Sequence, residues 1–254
     1  MEIQLKNVSK SFDSRNGKEK LLAIDDVSFD MKSSEILSIV GPSGCGKSTI
    51  INLLAGFIFP DKGSITIDGK EISEPSISRT VVFQDHAIFP WKTVRENIEF
   101  GLKSKNISAV ERNKIVEDLL KKVRLEKFSD SYPGELSGGM KQRVALARAF
   151  GVKPEIILMD EPFASLDQQT RDILQEELLR LQGEISQTVL FVTHDIEEAL
   201  FLGDRIIVLG NRPSKIQQTF LVPFPKPRLP DVRNHPAFLE LKHKIWHLLR
   251  DKNI

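Results

Sequence analysis

The chain has 254 residues and an ordinary globular composition, with 40% hydrophobic residues and 36 Lys and Arg residues against 35 Asp and Glu residues. This balance disfavours a disordered chain and lacks the basic excess that binds nucleic acid, so we expect no nucleic-acid partner. A single cysteine excludes an internal disulfide, and we find neither a signal peptide nor an apolar run approaching the ~20 residues that span a bilayer.

The amino-terminal part of the chain is predicted to form an antiparallel β subdomain. Its alternating stretch SITIDGKEI (64–72) contains Asp68-Gly69, a pair typical of a tight hairpin turn. Alternation of apolar and polar residues indicates a sheet that is covered on one face only. This part of the chain therefore differs from the core that follows.

Short apolar runs alternating with helical patterns predict that core. The runs are continuously apolar, as in strands covered on both faces, and lie at 35–40, 79–83, 155–160, 188–194 and 205–210. Helical patterns lie at 48–57, 137–150, 168–181 and 196–202. Strand and helix in alternation predict an α/β fold with a mainly parallel sheet.

The stretch GPSGCGKST (41–49) carries the strongest chemical signal. It lies between a predicted strand and a predicted helix and satisfies the P-loop pattern G-x-x-x-x-G-K-[ST], which leaves little room for an ordinary Gly-rich turn. The backbone of such a loop surrounds phosphates, its lysine bridges the β and γ oxygens, and its Ser48 hydroxyl binds Mg²⁺. The residues expected to bind nucleotide are Gly41, Pro42, Ser43, Gly44, Cys45, Gly46, Lys47, Ser48 and Thr49.

Cys45 lies inside this loop, so we predict that alkylation of its thiol blocks nucleotide binding and that ATP protects it. The alternative is a small loop residue that is too sheltered to react. If the loop shelters the side chain, the thiol should react poorly, because reactivity depends on exposure and on the thiolate form.

Polar residues close three of the predicted strands. Asp160 and Glu161 end the run IILMDEP (156–162), and they fit a metal-side carboxylate and a base that orients or deprotonates the attacking water. Gln84 ends RTVVFQ and fits a contact with Mg²⁺ or water, while His194 ends TVLFVTH and fits a bond to the γ-phosphate. Each alone would more often be an ordinary strand-end residue. Their order after a P-loop favours the functional interpretation.

A polar helical subdomain is predicted at about 86–152, with one helix opened by Ser108 and Glu111 at capping-box spacing. Within it, LSGGMKQRVALARAF (136–150) places Ser137, Gly138 and Gly139 directly before an apolar helical pattern. A helix N-terminus offers unpaired N–H groups, so small residues let an anion approach closely. A simple Ser N-cap is the alternative if the segment stands alone.

The tail, 223–254, is predicted to contain a Pro-rich linker and a helix. PFPKPRLP (223–230) precedes an apolar stripe formed by Phe238, Leu241, Ile245, Leu248 and Leu249. His243 and His247 have the spacing of a metal pair, yet no third ligand is visible, so we interpret them as surface residues. The domain division is accordingly 1–222 and 223–254.

These motifs together resemble the nucleotide-binding subunit of ABC transporters over about residues 1–220. LSGGMKQR (136–143) is similar to the signature motif, VVFQD (81–85) to the Q-loop, SLD (165–167) to the D-loop and VTHD (192–195) to the H-loop. The resemblance implies a P-loop NTPase that binds ATP and Mg²⁺. The residues it implies are Glu161, His194, Gln84 and Lys47 for catalysis, Ser48, Gln84 and Asp160 for the metal, and Ser137, Gly138, Gly139, Gln142 and Phe12 for ATP.

Phe12 occupies the position of the family's adenine-stacking aromatic, although a core aromatic of the β subdomain is the competing interpretation. The resemblance also implies a head-to-tail dimer, in which each ATP lies between the P-loop of one chain and the signature helix of the other. Ser137–Gly139 would then contact the γ-phosphate of the partner's ATP. The P-loop and the signature helix of one chain would thus each form half of a different ATP site, completed by the partner chain.

A narrower similarity links FQDHAIFPWKTVRENIEFGL (83–102), DEPFASLDQQTR (160–171) and GNRPSKI (210–216) to ATPase subunits of nitrate, sulfonate and taurine importers, a group that also serves some vitamin precursors. It implies a separate membrane permease, indirectly a solute-binding protein, and a location at the cytoplasmic face of the cell membrane. Residues 86–91, including Phe89 and Trp91, are candidates for permease docking, with local packing as the alternative. A soluble ABC-type ATPase in DNA repair or translation, and a non-catalytic regulatory subunit, stay open as other functions.

Overall fold

The computed structural model describes residues 2–14 and 20–250. The strands are β1 (Glu2–Asp13), β2 (Lys20–Lys32), β3 (Ile36–Val40), β4 (Lys62–Ile67), β5 (Lys70–Glu71), β6 (Arg79–Val82), β7 (Ile156–Asp160), β8 (Thr188–Thr193), β9 (Arg205–Leu209) and β10 (Ile216–Leu221). The helices are α1 (Lys47–Ala55), α2 (Val94–Leu102), α3 (Ala109–Lys122), α4 (Gly138–Gly151), α5 (Gln168–Ile185), α6 (Ile196–Leu202) and α7 (Pro236–Arg250). Within the core, these bounds agree closely with the predicted apolar runs and helical patterns.

The central sheet has the strand order β10-β9-β3-β8-β7-β6. Strands β9, β3, β8, β7 and β6 run parallel, and β10 is antiparallel to β9. Strands β3 and β8 are buried along their whole length, which explains why their sequences are continuously apolar. The predicted α/β class with a mainly parallel sheet is confirmed.

The predicted antiparallel β subdomain is also present, as a sheet with the order β2-β1-β4-β5. Asp68 and Gly69 form the turn between β4 and β5, and both have positive φ angles, of 48° and 76°. Apolar residues of this sheet, such as Ile3 and Val27, share one buried cluster with Ile50 of α1 and Leu37 of β3. This cluster fixes the antiparallel sheet above the start of α1.

Helices α2, α3 and α4 form the region predicted to be a helical subdomain. Thr93 caps α2 in a complete capping box with Glu96, a signal that the sequence carries and the prediction did not use. Ser108 caps α3 through a bond from the backbone N–H of Glu111, without a reciprocal bond. Helix α4 connects this region to the central core because it carries buried residues such as Phe150 into the same cluster as β6 and β7.

The tail packs against the core rather than extending away from it. Phe238 and Ile245 of α7 are fully buried with residues of α6 and β9. In the Pro-rich segment, the buried Arg228 guanidinium donates to the backbone oxygens of Phe201 and Gly203, at 2.9 and 2.7 Å, where α6 ends. His243 and His247 are exposed, as interpreted from the sequence. No helix among the described residues combines the length and hydropathy needed to cross a membrane.

Candidate functional site

The parallel register brings the ends of the central strands to one edge of the sheet. Val40 of β3 lies opposite Thr193 of β8, and Asp160 of β7 lies opposite Val192. The loop after β3 and the residues after β7 and β8 therefore leave the sheet side by side. This is the edge at which open α/β sheets bind ligands.

The loop after β3 curls around the Lys47 side chain. Gly46 has a φ of 107°, which L side chains rarely adopt, and it directly precedes α1. The Lys47 ammonium group donates to the carbonyl oxygens of Gly41 and Pro42, at 2.9 and 3.0 Å. A Cβ at Gly41 would come within 2.8 Å of the Cys45 sulfur, so the tight curl depends on glycine there. The loop presents the N-terminus of α1 and a buried cation, a combination suited to phosphate.

Cys45 belongs to this loop, but its side chain is only 2% exposed. Burial raises the pKa of the Cys45 thiol, against smaller opposing effects from Lys47 and from a hydrogen bond with Ser214. Since the thiolate is the reactive form, both burial and the raised pKa slow alkylation. The structure therefore favours the sheltered alternative over a readily alkylated thiol.

Asp160 and Ser48 supply oxygen donors beside the loop. Burial raises the pKa of the Asp160 carboxyl, and a hydrogen bond with the Ser48 hydroxyl partly offsets this effect. A nearby cation would favour the charged carboxylate. No cluster of three or more His, Cys, Asp or Glu side chains suited to a metal occurs in 2–14 and 20–250. The Asp160 carboxylate and the Ser48 hydroxyl fit Mg²⁺, which prefers oxygen donors and is commonly shared with substrate phosphates.

Glu161 joins the loop to the end of β8. Its carboxylate oxygens lie 3.4 Å from the Lys47 ammonium nitrogen and 2.7 Å from His194 Nδ1. Glu161 has a φ of 46°, uncommon for a residue with a side chain, and its N–H donates to Val192 O at 2.9 Å. This turn lets Asp160 stay in the sheet while Glu161 reaches towards Lys47 and His194.

Two further predicted residues, Gln84 and Phe12, are exposed. Gln84 follows β6, two residues beyond Val82, which lies opposite Met159 of β7. Phe12 is 40% exposed, with the Lys10 ammonium group 5.9 Å from its ring centre. Phe12 is therefore not the core aromatic of the competing interpretation. Its ring is accessible for stacking.

The N-terminus of α4 lies against the D-loop and α5. Ser137 caps the helix by accepting from the Met140 N–H at 3.3 Å. A Cβ at Gly138 would lie 3.3 Å from Leu166, and one at Gly139 would lie 2.6 Å from the Thr170 methyl group. Small residues here therefore allow close packing within the chain as well as leaving the backbone bare.

Gln142 lies one turn further along α4 and has a neighbour that the sequence did not indicate. Its side chain is fully buried, and its Oε1 lies 2.6 Å from Nδ1 of His86, in the segment that follows the Q-loop. Arg148 of α4 also donates to the His86 carbonyl oxygen at 3.3 Å. The structure thus places Gln142 between α4 and the Q-loop segment, and its predicted contact with ATP stays a prediction.

A groove of about 630 Å³ lies beside this junction. Its walls include Phe83, Phe89, Phe100 and Arg148, whose guanidinium carbon lies 5.5 Å above the Phe89 ring. Trp91 stands next to the groove with 70% of its surface exposed. Nothing in the local sequence around Arg148 predicted that its side chain would line a groove, because the groove is formed by segments about 60 residues apart.

Comparison with known proteins agrees with the site geometry. A family profile described as ABC transporter matches residues 24–164, more than half of the chain. An uncharacterised ABC transporter ATP-binding protein of Methanocaldococcus jannaschii is 43% identical over 252 residues, covering 99% of this chain and 92% of that protein. The taurine import ATP-binding protein TauB of Roseobacter denitrificans is 42% identical over 253 residues, covering 98% and 94%. A solved dimeric structure of an ATP-binding cassette in a post-hydrolysis state, bound to ADP and Pi, is similar with a TM-score of 0.74 and 34% identity, covering 87% of this chain and 99% of that chain.

Proposed function

The chain belongs to the ABC transporter family, and from this premise we propose that it is the ATP-hydrolysing subunit that energises a separate membrane permease for import of a small solute. One observation carries the proposal. Lys47, Glu161 and His194 form a connected group at the edge of the sheet where Asp160 and Ser48 also lie. A cation for phosphate, a base for water and donors for a metal are therefore assembled in one chain.

The chemistry of these residues follows from their positions. Lys47 and the N-terminus of α1 hold the β- and γ-phosphates of ATP, and Glu161 orients the attacking water and accepts its proton. His194, whose Nδ1 lies 2.7 Å from the Glu161 carboxylate, would hydrogen-bond the γ-phosphate. Ser48, Asp160 and Gln84 would hold Mg²⁺, which supplies charge neutralisation on the phosphate oxygens.

The dimer is the second part of the proposal. The similar solved cassette is dimeric and holds ADP and Pi, which supports a dimer and ATP binding here. We propose the head-to-tail arrangement, in which Ser137, Gly138 and Gly139 of one chain face the ATP held by Lys47 of the other. Their backbone N–H groups at the start of α4 would meet a γ-phosphate that ADP lacks. Hydrolysis would remove this contact and loosen the dimer, so that the chemical step drives a conformational change.

The remaining assignments concern assembly and cargo. The similarity to a taurine import subunit supports a cargo among small solutes of the nitrate, sulfonate and taurine group or a vitamin precursor. A solute-binding protein would deliver that cargo to the permease, and this chain would sit at the cytoplasmic face of the membrane. We propose residues 1–222 as the cassette, 86–152 as its helical subdomain and 223–254 as a tail that docks on it.

Purification of the tagged chain from detergent-solubilised membranes tests this function. We expect an integral membrane permease to co-purify, and the complex to release phosphate from ATP in the presence of Mg²⁺. Mass spectrometry identifies the partner, and a phosphate-release assay measures turnover. Co-purification with DNA or ribosomes would instead favour the soluble ABC-type ATPase, and a complex without ATPase activity would contradict the proposal.

We propose the groove beside Trp91 as the permease docking site. The groove is lined by aromatic rings, and Trp91 is 70% exposed at its rim, as expected of a protein contact. A photo-crosslinking amino acid at position 91 should therefore capture the permease in the purified complex. Trp246 of α7, exposed by 43%, provides the matched control position and should not capture it. An ATP-hydrolysing complex that gives no permease adduct from position 91 would exclude this docking site.

A further inference from the structure

A buried chain of hydrogen bonds leads from the tail to the residue before His194. Arg233, in the turn Pro230–Asn234, donates from Nη2 to Gln175 Oε1 at 2.6 Å. Gln175 donates from Nε2 to Glu198 Oε1 at 3.0 Å, and Glu198 Oε2 accepts from the Thr193 hydroxyl at 2.6 Å. Thr193 is the last residue of β8, so this chain ends where His194 begins.

Arg233 itself is firmly placed. Its Nη1 donates to Asp172 Oδ1 at 2.8 Å, and its guanidinium carbon lies 4.4 Å from the centre of the Phe201 ring. Asp172 belongs to α5 and Phe201 to α6, so the arginine bridges the two helices that flank the end of β8. A planar guanidinium can make two directed hydrogen bonds while it stacks on an aromatic face, which a lysine cannot do.

Arg233 and Glu198 together fix the direction and position of the Gln175 amide. Because a guanidinium only donates, it must face the amide oxygen of Gln175, and this turns the NH₂ group towards Glu198. Gln175 is buried, so in the native protein its amide oxygen depends on the bond from Arg233. Without Arg233 the amide oxygen loses the hydrogen bond that holds the Gln175 side chain in place, and the amide is free to move away from Glu198.

The charged form of Glu198 depends on the hydrogen bond from Gln175. The side chain is buried, and burial raises the pKa of the Glu198 carboxyl, while hydrogen bonds from Thr193 and Gln175 favour its charged form. Arg171 is the other cation nearby, with its Nε 3.9 Å from Glu198 Oε1. Loss of a hydrogen bond to a buried carboxylate costs free energy, so we expect the Glu198 side chain to move towards another donor and its neighbours to shift.

We propose that Arg233 is a positioning residue for His194, acting through Gln175, Glu198 and Thr193. The Thr193 hydroxyl also accepts from the Asp195 N–H at 3.0 Å, so both residues that flank His194 are held by this one group. The tail is then a working part of the ATPase site, because it fixes the loop that places His194 against Glu161. This inference rests on the proposed function, since it concerns the same hydrolysis.

Arg233→Ala should lower kcat for ATP hydrolysis by about tenfold and leave the KM for ATP unchanged, because Lys47 and its loop keep their contacts. Arg233→Lys should restore little of the loss, since a single ammonium nitrogen cannot take the places of both Nη1 and Nη2 while the group stacks on Phe201. Gln175→Leu should lower kcat to a similar level, and the double variant should be no slower than either single variant. Lys244→Ala is the control in the same tail, because Lys244 is exposed and, among the described residues, pairs with the exposed Glu240, so its loss should not affect kcat.

Arg233→Ala is also tested in a His194→Ala variant, which distinguishes an effect of Arg233 on the position of His194 from a general effect on the fold. Single-turnover assays with excess complex should give the same slow rate with and without Arg233→Ala, while thermal melting shows that each variant is folded. A further tenfold loss in that background, or an unchanged kcat for Arg233→Ala in the native background, would overturn the inference. If the unaltered complex itself hydrolyses no ATP, it is the proposed function that fails.

Discussion

Glu161→Gln will bind ATP and hold the closed dimer, but it will turn ATP over about 10²- to 10⁴-fold more slowly than the native chain. Glutamine keeps the shape of the side chain and cannot accept the proton of the attacking water. It also removes the negative charge that lies 3.4 Å from the Lys47 ammonium nitrogen, so that this charge no longer competes with phosphate for the lysine. Binding should therefore survive while the chemical step is lost.

Phosphate release gives the turnover of this variant, and size-exclusion chromatography with and without ATP gives the fraction of dimer. Glu155→Gln is the matched control, because it makes the same chemical change at an exposed residue. Glu155 directly precedes β7, at the opposite end of that strand from Glu161. The control should keep native turnover and should not be trapped as a dimer by ATP. Near-native hydrolysis by Glu161→Gln would rule out Glu161 as the base.

Mixed dimers of a Lys47→Met chain and a Ser137→Asp chain will regain one working ATP site that neither homodimer has. In the head-to-tail arrangement, one site of the mixed dimer collects both changes and the other collects neither. The structure supports this arrangement, because Ser137 bonds within its own helix and α4 begins against Leu166 and Thr170. Within residues 2–14 and 20–250, no hydrogen bond joins Ser137–Gly139 to the loop at 41–49.

The two substitutions are chosen to spare the fold. Aspartate caps a helix about as well as serine, so Ser137→Asp keeps α4 while it places a negative charge where the phosphate must come. Methionine is similar in length to lysine but carries no charge. Two affinity tags select the mixed dimers, and vanadate trapping of radioactive nucleotide measures completed sites.

We expect a single trapped nucleotide per mixed dimer and almost none in either homodimer. Mixtures of differently tagged Lys47→Met chains serve as the control, because every site in them lacks the lysine. Trapping in the mixed dimers that stays at the homodimer level would contradict the shared-site arrangement.

Much of the site followed from local sequence. The P-loop pattern, the two carboxylates at the end of β7 and the histidine after β8 are each defined by a few neighbouring residues, and a parallel sheet necessarily brings strand ends together. Predicted strand ends agree with the structure to within one or two residues, and α6 spans Ile196–Leu202 as predicted. These features depend on short-range geometry and on burial of both faces of the sheet.

The N-terminus of α6 shows a contact that the local sequence did not predict correctly. The spacing of Asp195 and Glu198 predicts a reciprocal capping box, and Asp195 does accept from the Glu198 N–H at 3.2 Å. The Glu198 carboxylate, however, binds Thr193 and Gln175 instead of the Asp195 backbone. Partners from other elements offered a buried carboxylate better hydrogen bonds than its own helix end.

The sequence by itself determined the family, the fold class and which motif residues meet at one edge of the sheet, because motif spacing and apolar periodicity are encoded over a few residues. Only the tertiary structure decided that Cys45 is sheltered, that Gln142 faces His86 and that Arg233 reaches Gln175. The latter two contacts join residues 56 and 58 positions apart. Such pairs leave no local pattern, since they form only when packing of the whole core brings their elements together.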